Sequence, residues 1–142
     1  MNTAEGKIVL AELPRGFVGG ARLWSTGGYA DLLFEVHGEN GVVHTGFRLT
    51  SVRALRFRQE THCTSWHIEG AYGQLVEVRP SEWITELAER LVENARSPSE
   101  WDMHHYLIYI PDEGGAFEVA AESWRVLPER GGLLPTHWTG GE

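Results

Sequence analysis

The pair Asn40-Gly41 stands between two runs in which apolar and polar residues alternate, and it constrains this chain more than any other feature. Asparagine and glycine tolerate the left-handed backbone of a tight two-residue turn, so the pair marks an antiparallel hairpin over 29–57. A type I′ loop at that pair sets Glu39 opposite Val42, and hence Val36 opposite Thr45, Phe34 opposite Phe47 and Leu32 opposite Leu49. The large apolar side chains of both runs then share one face. Asp31, Leu33, Glu35 and His37 lie with His44, Gly46, Arg48 and Thr50 on the other. Turn chemistry and periodicity agree on a sheet buried on one side.

The second run continues past Thr50 through Leu55 and Phe57 toward Glu60, long enough to need a bend or bulge near Ser51. Residues 75–79 form a further short strand. Pro80 and Ser81 then open the one convincing helix. Ser81 is its N-cap, Ile84, Leu87, Ala88, Leu91 and Ala95 recur at helical spacing, and Ser97-Pro98 stops it. Residues 104–110 and 116–126 make a second hairpin, and 8–13 with 21–24 an N-terminal pair. The sum is an α+β domain: a mostly antiparallel, strongly curved or barrel-like sheet of about six strands with one main α-helix.

A chain of 142 residues with 42% hydrophobic and 23% charged residues fits a single domain, with a core over about 7–128 and a loose tail over 131–142. Five Gly-Gly doublets punctuate it, and none belongs to a phosphate-loop pattern, so they read as turns and no cofactor is expected. The lone Cys63 excludes an internal disulfide and, with no basic-then-apolar leader, leads to the expectation of a cytoplasmic protein. The net charge of −8 opposes general affinity for nucleic acid or anionic membranes, and no apolar run reaches membrane-spanning length.

Four groups of residues could carry function. The sharpest charge asymmetry is the basic run Arg48, Arg53, Arg56 and Arg58, with no acidic residue between Glu39 and Glu60. Strict alternation places Arg48, Arg56 and Arg58 on the polar face, where Asp31, Glu35, Glu77 or Glu118 can pair with them. The same alternation turns Arg53 inward unless a bulge at Ser51-Val52 intervenes. Histidines form the second group: His62, Cys63 and His67 lie close together, His104 and His105 are neighbours facing opposite ways, and His37 and His44 pair across the hairpin. Imidazole and thiolate are zinc ligands, but the spacing matches no metal motif.

The third group is aromatic. Trp83, one residue off the helix stripe, and Trp101, in a polar loop, are the tryptophans expected to be exposed, which suits an interface. The fourth is the helix face of Glu82, Glu86, Glu89 and Glu93, whose like-charged i,i+4 pairs weaken the helix slightly and so leave room for a basic partner.

These groups give three functional expectations. The first is a noncatalytic module that binds another protein, for instance an immunity or inhibitor-like protein, through Glu86, Glu89, Glu93, Trp83 and Trp101. The second is a curved sheet enclosing a small anionic ligand, as carrier or enzyme, held by Arg53, Trp66, His67, His104 and Tyr106. The third is metal-dependent hydrolysis through His62, Cys63 and His67. A homodimer covering exposed strand edges is compatible with the first two.

Overall fold

In the computed structural model, the described residues are 6–12, 17–26, 28–59, 63, 66, 71–93, 102–110 and 115–132, with backbone alone at 17–20 and 91–93. They form nine strands and one helix. The strands are β1 (Gly6–Glu12), β2 (Phe17–Ser25), β3 (Tyr29–Gly38), β4 (Gly41–Thr50), β5 (Ala54–Gln59), β6 (Gln74–Arg79), β7 (His104–Ile110), β8 (Gly115–Ala121) and β9 (Ser123–Gly131). The helix α1 spans Glu82–Glu93. Every named strand pairing is antiparallel.

The strands divide into a five-stranded sheet, ordered β1-β6-β7-β8-β5, and a four-stranded sheet, ordered β2-β3-β4-β9. Mostly antiparallel strands with one helix are as expected, whereas the barrel-like sheet of about six strands is replaced by two separate sheets. The cause lies at Ser51, where a positive φ of 54° breaks the long second run. The Ser51 N–H bonds to the Gly28 carbonyl, Arg53 N–H bonds to the Ala120 carbonyl, and the chain passes from β4 in one sheet to β5 in the other. Glu122 repeats the move in reverse between β8 and β9, its N–H pinned on the Thr50 carbonyl at 2.9 Å. One two-stranded ladder, β4-β5 against β9-β8, therefore folds over at a corner, and the sheet that periodicity leads one to curve is creased instead. The expected N-terminal pair is also divided, β1 pairing with β6 and β2 with β3.

The hairpin turn shifts too. Gly38 pairs with Gly41, Leu32 with Phe47 and Asp31 with Arg48, a register displaced by two residues from the expected one. Among the described turn residues only Gly41 has positive φ (123°), so Glu39-Asn40 make an ordinary turn followed by glycine rather than a type I′ pair. An even displacement keeps every side chain on its face, so the core assignment holds while His37 and His44 are no longer opposite one another.

The main core lies between the sheets, where Leu32, Phe34, Val36, Phe47 and Leu49 meet Leu75, Ile108, Ile110, Phe117 and Val119. A second cluster, including Val76, Val78, Leu107 and Tyr109, occupies the other face of the five-stranded sheet. Trp66 and Cys63 pack against it, and α1 contacts β7. Ser81 caps α1 as expected, accepting the Ile84 N–H at 3.2 Å on its side chain and the Thr85 N–H on its carbonyl.

Candidate functional site

Two stacked sheets leave four strand edges, and an open edge is a template for another strand. Three of these edges are irregular. β1 shifts register between Val9 and Ala11, β2 shifts twice between Phe17 and Arg22, and β9 is offset against His44 and Gly46 and contains Pro128. β5 differs: its six residues pair without interruption from Ala54↔Ala120 to Gln59↔Gly115.

The direction of the β5 main chain follows from its neighbour. Ala120 turns its carbonyl toward β5, accepting the Arg53 N–H at 2.8 Å. A Cβ added to Gly115 would stand 2.5 Å from the Arg58 carbonyl oxygen, which places that oxygen on the β8 side. Main-chain groups alternate along an antiparallel strand. Ala54, Arg56 and Arg58 therefore bond to β8, and the N–H and C=O groups of Leu55, Phe57 and Gln59 face the side where no further strand lies among the described residues.

The side chains of β5 alternate as well. Leu55 and Phe57 point between the sheets, Phe57 packing 4.8 Å from Phe117, yet they stay 39% and 44% exposed. Beside them a cleft of about 470 Å³ opens between β2 and β5, walled by Ala21, Leu23, Trp24, Phe57 and Phe117 with Arg22 at its rim. A second cleft of about 400 Å³ is lined by Arg56, Phe57, Arg58, Gln59 and Glu118. The edge thus adjoins an apolar cleft and a polar one.

A buried polar chain anchors the polar cleft. Arg56 grips Glu118 through two hydrogen bonds, Nε to Oε2 at 2.9 Å and Nη2 to Oε1 at 3.0 Å, and its guanidinium lies 4.2 Å over the Trp83 ring. Burial pushes the Glu118 carboxyl up, but the His105 hydrogen bond and the Arg56 fork outweigh burial and hold it at about 2. An ionised carboxylate only accepts, so His105 Nε2 donates to Glu118 Oε1 at 2.7 Å. Ser81 Oγ, which accepts from the Ile84 N–H, is also hydrogen-bonded to His105 Nδ1 at 2.8 Å.

Ser81, His105 and Glu118 have the connectivity of a nucleophile, a base and an orienting carboxylate. Their placement is that of a tie. His105 is only 2% exposed, Trp83 meets it edge-on at 5.0 Å, and Ser81 Oγ is engaged as the helix cap. The chain fastens α1 to the sheet and holds Arg56 in place.

Of the expected partner-binding residues, Trp83, Glu86 and Glu89 lie on α1. Glu86 and Glu89 are exposed on α1. Trp83, expected at the surface, is half-buried between Arg56 and His105, because one residue off the apolar stripe is the flank of the helix facing β5 and β7. The Glu93 side chain and Trp101 lie outside the described residues. Of the expected ligand pocket, His104 and Tyr106 are neighbours, ring to ring at 5.9 Å. Trp66 lies over the opposite face of the sheet beside His105, and His67 is outside the described residues. Arg53, expected to point inward, is exposed, since the break at Ser51 reorients the chain just before it. His62 is likewise undescribed, and Cys63 donates to the Arg58 carbonyl at 3.4 Å. Among the described residues no three His, Cys, Asp or Glu side chains are grouped to hold a metal.

His104 and His105 do face opposite ways. His104 reaches Glu77 at 2.7 Å, and Arg79 joins the same carboxylate. Burial raises the Glu77 carboxyl, and the His104 and Arg79 hydrogen bonds overcome this and leave it below its ordinary value. Tyr106 beside it is pushed up to about 12 by burial and then by the charges of Glu77 and Asp102.

The edge itself was missed in the sequence, although Leu55-Arg56-Phe57-Arg58 carries its signal in four letters. Alternation of apolar and cationic residues fits a continuation of β4 as well as it fits an edge strand of another sheet. Comparison with known proteins returns no match to a protein-family model, a curated protein or a solved structure.

Proposed function

We propose that this chain is a noncatalytic protein-binding module, inhibitor-like in kind, that captures another protein along β5. One observation carries the proposal: the regular edge of β5, which pairs with no further strand among the described residues, lies beside an apolar cleft and a second cleft lined by Arg56, Arg58 and Glu118. Strand edges flanked by side-chain pockets are a recurrent means of holding extended segments, the main chain giving affinity and the pockets selectivity. The buried tie through Ser81, His105 and Glu118 supports the same reading, since it stiffens the edge rather than presenting a reactive group. No described helix is long and apolar enough to cross a membrane.

The test is photocrosslinking in the native host, with a benzophenone side chain replacing Leu55 on β5 or Glu129 on β9. The expected result is an adduct with one other polypeptide from position 55 and none from position 129. That polypeptide, once purified, binds the wild-type chain more tightly than Arg58→Glu. Equal adducts from both positions, or none from position 55, overturn the proposal.

A second reading, an anionic small molecule in the inter-sheet cleft, is favoured by one specific feature. Trp24 Nε1 is buried with no hydrogen-bond partner among the described residues, on the wall of a cleft with Arg22 at its rim. Saturable quenching of tryptophan emission by a small aromatic carboxylate, lost in Arg22→Ala, would support it; no quenching would remove it.

A further inference from the structure

We draw no further inference here: the strongest candidate, the apolar cleft between β2 and β5 walled by Leu23, Trp24, Phe57 and Phe117, belongs to the site already described, and nothing in the structure shows what covers it.

Discussion

Glu118 is the residue on which the candidate site turns, because it is 1% exposed, carries a charge and is shared by Arg56 and His105. Its carboxyl ionises at about 2 in the fold against 4.5 ordinarily, so the native state binds the proton less readily than the unfolded chain. The stabilisation is therefore fully present above pH 4.5 and disappears as the pH falls from there to about 2; Glu77, lowered in the same direction, adds to the slope. Thermal unfolding across that window should show the midpoint falling steeply in the wild type. Glu118→Gln should start from a lower midpoint at pH 7 and fall less, and an unchanged slope would contradict the assignment. Ser81 should behave as cap and tie: Ser81→Ala should cost about 1 kcal/mol in urea unfolding. A reactive fluorophosphonate should leave Ser81 unlabelled, and stoichiometric labelling would show it to be a nucleophile. Part of this was legible beforehand, since Asp31 and Glu118 were among the carboxylates expected to pair with the arginines, and they do so with Arg48 and Arg56. The tie was not legible, because Ser81, His105 and Glu118 come from three elements that only the fold brings together.

At the scale of elements, strand faces and helix caps came from local pattern, and the breaks between sheets did not. Leu32, Phe34, Phe47 and Leu49 face the core as their alternation requires, and Ser81 caps α1 as a serine before a helical stripe should. The division of the long run into β4 and β5 depends on the φ of one serine, which composition does not reveal. Serine at positive φ is strained relative to glycine, while a β-branched residue there is worse. Ser51→Gly should therefore be neutral or stabilising by up to about 1 kcal/mol, and Ser51→Val destabilising by more than about 1 kcal/mol, in equilibrium denaturation. Identical stabilities would show that the corner is held some other way. Gly46 exerts a comparable constraint where β3 and β4 approach each other: a Cβ there would lie 2.0 Å from the Leu32 carbonyl oxygen. Gly46→Ala should cost several kcal/mol, because main chain rather than a flexible side chain must move.

For the whole molecule, the two sheets meet over one main apolar core, and the creased ladder β4-β5 against β9-β8 joins them at a corner. That crease leaves β5 at the rim of the five-stranded sheet beside β2 of the other, and so places an inter-sheet cleft next to a strand edge that is unpaired among the described residues. Sheet membership is a long-range property, which is why a pattern read in short windows led to one curved sheet. The most direct measurement is residue-resolved amide hydrogen exchange of the free protein along β5. The account predicts fast exchange at Leu55, Phe57 and Gln59 and slow exchange at Arg56 and Arg58. Equal protection at all five positions in the free protein would mean that the edge is already covered, and would contradict the account.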